Sequence, residues 1–292
     1  MILLLAVALV LEPVFFSAQN WNNVLNQVAI PGTLAVGMTF VILTGGIDLS
    51  VGSHLALLSC VTAVWIRSGT SLGVTAAYVL GLGVAIGALI GAIVSWTRMQ
   101  AFVVTLAAMV SLRGVAFLYT RNNVSGLGDG MRPLQGSWLG LPVAGWLLLG
   151  LVASTWWVLS KTVFGRRVYA IGGNETAAHL AGVPVDRVRI GAYAMNGFCV
   201  GLASLLMVAR NGNAEPGGAI GYELDAIAAA VVGGTSLLGG YGNMLGTLVG
   251  ALFITCLNVL INLRGIDDKL GMGLKGPILL LAVYLQNWGR KQ

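Results

Sequence analysis

Long apolar stretches recur along this chain, separated by short polar or glycine-rich connections. They fall at 1–16, 28–44, 50–66, 72–97, 101–119, 141–160, 190–209, 223–238, 244–263 and 270–286. A bilayer core of about 30 Å takes about 20 apolar residues as a helix, so each stretch reads as a membrane-crossing segment. The pattern predicts an all-α integral membrane protein: a polytopic helical bundle of about ten transmembrane segments with broken or re-entrant helices. One transmembrane domain accounts for residues 1–292. The eighth stretch is the weakest, because Glu223 and Asp225 open it and Gly233-Gly234 interrupts it. A re-entrant dip is an alternative to a full crossing there.

Two interruptions stand out. The first is Gly45-Gly46-Ile47-Asp48-Leu49-Ser50-Val51-Gly52, set in an apolar run otherwise free of charge from 28 to 66. A charge within a membrane span costs roughly 2.5–3.5 kcal/mol and is rarely kept without a role. Irregular backbone at membrane depth survives only where protein or a water-filled cavity surrounds it. The second interruption runs from Glu223 and Asp225 through Gly233 and Gly234 to Gly239-Gly240. Interrupted segments in corresponding positions of two halves mark a transport route. The candidate pathway residues are therefore Gly45, Gly46, Asp48, Ser50, Gly52, Glu223, Asp225, Gly233 and Gly234.

Composition narrows the class. Of 292 residues, 57% are hydrophobic and 9% charged, whereas a soluble domain carries about 25% charged residues. The net charge of +6 forms no basic face interleaved with exposed aromatics, so nucleic acid is not an expected partner. Cys60, Cys199 and Cys256 lie in apolar runs without a CxxC pair. His54 and His179 have no ligand pattern around them, so neither metal nor cofactor is expected. Met1–Phe16 lacks a basic n-region and a small-residue cleavage site and reads as the first membrane helix.

The loop at 161–189 sets the orientation. It carries Lys161, Arg166, Arg167, Arg187 and Arg189 against Glu175 and Asp186, which places it in the cytoplasm by the positive-inside rule. Counting spans in both directions then puts both termini, with Arg290 and Lys291, on the cytoplasmic side. Glycine, at 42 residues, is often periodic: Gly83, Gly87 and Gly91, then Gly242, Gly246 and Gly250. Such spacing lets helix backbones approach closely, within one bundle or between subunits.

Several acids and bases have ordinary structural readings. Asp48 suits an N-cap of the third span, a pathway lining, or an ion pair with Arg113 or Lys275. Ser50 adds a hydroxyl to cap or line. Glu223 and Asp225 complement the positive end of the helix they open. Arg113 and Lys275 either snorkel to an interface or pair with Asp48, Glu223 or Asp225. In the loop, Gly172-Gly173-Asn174 forms a turn and Asn174 caps a short helix over 175–181, which Gly182 stops. Its Ala-rich face, with Ala177 and Ala178, calls for a partner.

Three segments carry a family resemblance: AVGMTFVILTGGIDLSVGS at 35–53, FGRRVYAIGGNETAAHLAGVPVDRVRI at 164–190, and GYELDAIAAAVVGGTSLLGGYGNMLGTLVGAL at 221–252. The chain resembles the permease subunits of ribose/xylose/galactofuranose-type sugar ABC importers, within a larger group that includes branched-chain amino-acid permeases. The resemblance implies pairing with a second permease subunit, as homodimer or heterodimer, in the lipid of a bacterial inner membrane. It implies a periplasmic sugar-binding protein outside and cytoplasmic ABC ATPase subunits inside. It makes Gly173, Asn174, Glu175, Ala177, Ala178 and Gly182 the candidate ATPase-coupling residues; the Ile-x-Leu-Pro ending of the general importer loop is missing. No G-x-x-x-x-G-K-[ST] loop occurs and no catalytic set converges, so a separate ATPase chain is expected and no enzyme activity in this one. Permeation of a branched-chain amino acid or another small polar solute, and ion-coupled secondary transport, are the alternatives.

Overall fold

The computed structural model describes residues 13–265, together with Gly273, Gly276 and Pro277. Most of the predicted first span, the tenth span, Lys275, Arg290 and Lys291 lie outside the described residues. Within them the chain is helical: α1 Ala18–Leu43, α2 Val51–Arg67, α3 Leu72–Thr97, α4 Ala101–Tyr119, α5 Arg132–Gln135, α6 Val143–Lys161, α7 Val163–Gly173, α8 Glu175–Leu180, α9 Val185–Asn211, α10 Tyr222–Val232 and α11 Met244–Leu263. Among the described residues six helices are long and apolar enough to cross a membrane, and α2 is a shorter apolar helix. The molecule is an all-helical polytopic membrane protein.

The connection at 121–142 holds local secondary structure. It contains a 3-10 turn at Gly128–Met131, α5, and two short antiparallel strands, β1 Ser137–Trp138 and β2 Leu141–Pro142. Helix α1 begins ten residues before the apolar stretch, because the amides Asn20, Asn22, Asn23, Asn26 and Gln27 continue the helix. Ser17 caps it, its hydroxyl accepting from the Asn20 N–H at 3.2 Å. At 26 residues it is about 39 Å long.

Helices α1 and α9 form the centre: 78% and 72% of their apolar windows are buried, against 17% for α4, which lies at the rim. The α3–α9 contact explains one glycine row. A Cβ on Gly83 would strike the Gly197 carbonyl, one on Gly87 the Tyr193 carbonyl, and one on Gly91 would come within 2.8 Å of the Tyr193 Cβ. The second row does the same between α10 and α11: side chains on Gly246 and Gly250 would strike the Gly233 and Ala229 carbonyls. Both rows serve packing within this chain, where close backbone approach replaces the hydrophobic drive that lipid removes.

The eighth segment departs from a regular span. Helix α10 has 11 residues, about 16 Å, too short to cross alone. The chain enters it from the far side, where Ala214 pairs with Val124, as irregular backbone through 215–221. It leaves on the side of the 161–189 loop, where the Gly240 N–H donates to the Leu43 carbonyl at 3.0 Å. The segment therefore runs between the two ends of the bundle, first as irregular, turn-rich backbone and then as helix.

Candidate functional site

The first break, 44–50, is the bend between α1 and α2. It lies toward the 161–189 loop rather than midway. Gly45 takes φ +80, a conformation that favours glycine, and turns the chain away from α1. The Thr105 hydroxyl, near the start of α4, donates to the Ile47 carbonyl at 3.1 Å.

Asp48 is 2% exposed. One carboxylate oxygen accepts from the Ser50 N–H at 2.9 Å and the Ser50 hydroxyl at 2.6 Å; the other accepts from Asn196 Nδ2 on α9 at 2.8 Å. This corrects the expected cap. Ser50 is the N-cap residue of α2 and makes no side-chain cap bond; Asp48 holds the turn just before it. The ion-pair reading also fails for Arg113, whose guanidinium bonds elsewhere. Asp48 therefore stitches the break to the central helix α9. Beside it lie the buried Asn196 Oδ1 and Tyr193 hydroxyl, each without a hydrogen-bond partner.

The second irregular stretch meets the first at Gly52. A Cβ there would strike a Glu223 carboxylate oxygen and come within 2.6 Å of the Ala219 carbonyl. The other Glu223 oxygen accepts from the Gly221 N–H at 3.2 Å, so the acid serves its own helix start. Ala219 is buried at φ +58, a costly conformation for a residue with a Cβ. Arg113 Nη1 donates to the carbonyls of Pro216 at 2.9 Å and Gly218 at 2.6 Å. It is a clamp on irregular backbone, neither a snorkelling residue nor a partner of Asp48. Sequence reasoning placed this break at Glu223 and beyond, and missed 215–221; Glu215-Pro216-Gly217-Gly218 was the available turn signal. Asp225 opens α10 beside Glu223. Gly233 ends α10 and packs on Gly246, and Gly234 follows at φ +100.

Gly172 and Gly173 end α7 as helix rather than forming the expected turn; beyond them the loop folds as expected. The Asn174 side chain accepts from the Ala177 N–H at 2.9 Å and caps α8, and Gly182 follows at φ +79. Glu175 pairs with Arg189 at 2.6 Å. Helix α8 ends at Leu180, one residue early. Ala178 is buried in the core, while Leu180 is 83% exposed. Tyr169 on α7 donates its hydroxyl to the Gly242 carbonyl at 2.8 Å; burial raises its pKa above the ordinary phenol value, which keeps the proton available.

A cleft of about 1320 Å³ opens between these parts. Its walls include Thr44, Gly45 and Gly46 of the first break, Tyr193 on α9, Arg98, the 171–190 loop with Glu175 and His179, and Leu238. The structure thus brings Gly45 and Gly46 to one cavity with the 161–189 loop. Asp48 lies behind that wall. Among the described residues no group of three or more His, Cys, Asp or Glu side chains suits a metal.

Comparison with known proteins adds to this geometry. The family model described as "Branched-chain amino acid transport system / permease component" matches residues 20–283. The chain is 42% identical over 293 residues to the ribose import permease protein RbsC of Escherichia coli K12, covering 98% of this chain and 91% of that one. It is 43% identical to the RbsC of Bacillus subtilis 168 over 289 residues, 97% and 89% of the two chains. It is 34% identical to the xylose transport system permease protein XylH of E. coli K12 over 339 residues, 94% and 86%. No solved structure matches.

Proposed function

This chain belongs to the family of ABC-importer permease components that includes the ribose and xylose permeases, and from that premise we propose that it forms the membrane path for a monosaccharide. As a family member it is a multi-pass inner-membrane subunit with no catalytic site of its own. ABC ATPase subunits and a periplasmic binding protein are its partners. Identity of 34–43% to ribose and xylose permeases supports a sugar over the amino acid in the family description.

The finer reading is ten transmembrane segments in a single domain, 1–292, with cytoplasmic termini, and assembly with a second permease subunit, identical or paralogous. The cytoplasmic loop 161–189 presents α8 to the ATPase, with Asn174 and Glu175 shaping it, Ala178 seating it, and Leu180 facing outward. Gly45 and Gly46 line the inner mouth of the path; Asp48, Ser50, Gly52, Glu223, Asp225, Gly233 and Gly234 hold the two broken segments in shape beside it.

The single observation that carries this reading is the shared cleft: the first break and the loop that bears α8 are two walls of one cavity. A motion of the loop therefore alters the space beside the break directly. The test is uptake of labelled ribose, xylose and leucine in proteoliposomes that hold the permease, its ATPase and loaded binding protein. Sugar uptake that requires ATP, and that Leu180→Asp uncouples from hydrolysis, supports the proposal. Leucine uptake without sugar uptake moves the cargo to the amino-acid alternative. Uphill uptake driven by an ion gradient with no ATPase present overturns the mechanism.

A further inference from the structure

Three segments distant in sequence meet almost wholly through main chain, on the loop side of the molecule. They are the end of α1 with the first break, the end of α7, and the turn after α10. A Cβ on Gly172 would strike the Leu43 carbonyl oxygen and the Gly240 nitrogen, and would lie 3.0 Å from the Gly239 carbonyl carbon. A Cβ on Gly239 would lie 2.9 Å from both the Gly45 nitrogen and the Gly172 Cα. One on Gly240 would lie 2.6 Å from the Gly173 nitrogen. Hydrogen bonds close the joint: Gly240 N–H to the Leu43 carbonyl at 3.0 Å, and the Tyr169 hydroxyl to the Gly242 carbonyl at 2.8 Å. Gly239 and Gly240 hold φ of +85 and +69, so the turn keeps the shape that lets it enter.

Side chains in a packed interface absorb a small displacement by changing rotamer. Main chain held against main chain has no such slack, so the three segments move as one piece. We propose that this backbone joint transmits the ATPase-driven displacement of the 161–189 loop to both broken segments at once, with Gly172, Gly239 and Gly240 as its positioning residues. The inference rests on the reading of α8 as the ATPase-docking element. Through Asn174 the displacement of α8 enters the end of α7. From Gly172 it passes to Leu43 and Gly45 on one side and to the 235–242 turn on the other. Both breaks then shift in the same stroke.

The experiment uses the whole importer in proteoliposomes and measures sugar delivered per ATP hydrolysed. Gly172→Ala forces the segments apart; Tyr169→Phe keeps the ring and removes only the hydrogen bond. The expected result is a fall in transport per ATP of at least about fivefold for Gly172→Ala and at least about twofold for Tyr169→Phe, with the ATPase still bound and still stimulated by loaded binding protein. If Gly172→Ala does not assemble, Tyr169→Phe decides alone. An unchanged ratio in both variants overturns the proposal, and so does a proportional loss of transport and hydrolysis, which is what a merely structural role produces. Leu180→Asp is run beside them. If it uncouples while the joint variants do not, only the joint fails. If Leu180→Asp itself leaves the ratio unchanged, the docking reading fails and takes the joint with it.

Discussion

Asp48 presents four lone-pair positions to a buried turn, and donors from Ser50 and Asn196 occupy three of them. Asp48→Asn keeps one oxygen for Ser50, and the Asn196 amide can turn so that its unpartnered Oδ1 accepts from the new NH2. We expect a loss within about 1 kcal/mol for Asn. Asp48→Leu strands all three donors and costs about 3 kcal/mol or more. Denaturation midpoints of the detergent-solubilised protein check both, and equal damage from the two variants would show that charge matters more than hydrogen bonding. Arg113 makes a parallel case: Arg113→Ala removes the donor to two carbonyls of irregular backbone, and transport should fall about tenfold or more. The i+2 bond from Asp48 to Ser50 is a local event and was legible in the sequence as a turn or cap. Asn196 is 148 positions away, and no spacing rule points to it. The same holds for Arg113 and Pro216.

At the scale of helices, glycine spacing was the most readable signal. Gly83, Gly87 and Gly91 announced a close crossing, although not its partner, because the row that faces them on α9 has only two glycines, Gly197 and Gly201, beside the Tyr193 backbone. Gly197→Ala should destabilise by about 1–3 kcal/mol, since the new methyl overpacks against the Gly83 carbonyl. Gly81→Ala, on α3 with nothing within 4 Å of its Cβ, should be neutral or stabilise by up to about 1 kcal/mol. Thermal midpoints of the pair, measured in the same detergent, separate contact from composition. The eighth segment shows where pattern reading stops. Hydropathy finds apolar residues over 223–238 but not the irregular backbone just before them, because the Pro216 and Gly218 carbonyls are satisfied by a side chain from another helix.

For the whole molecule, the long apolar runs predicted a helical membrane bundle, and the three motif segments predicted the importer family. The orientation rests on one basic loop. It is checked by labelling with a membrane-impermeant maleimide. Native Cys60, Cys199 and Cys256 are all buried and should stay unlabelled in the folded protein. In right-side-out vesicles Trp138→Cys should react and Leu180→Cys should not; the reverse pattern would invert the topology. The 121–142 connection folded into more than a loop because its polar residues find each other and the end of α9: Gln135 donates to the Ala209 carbonyl at 2.8 Å.

The way the loop, the first break and the second turn touch has an evolutionary corollary. Apart from the Tyr169 hydroxyl, atoms shared by every amino acid make that contact, so exchanging residues along the cavity walls to admit a different solute need not disturb the drive train. Cargo and engine are then separately adjustable, and a library that randomises the wall positions while sparing Gly172, Gly239 and Gly240 should yield importers with new tastes and an old stroke.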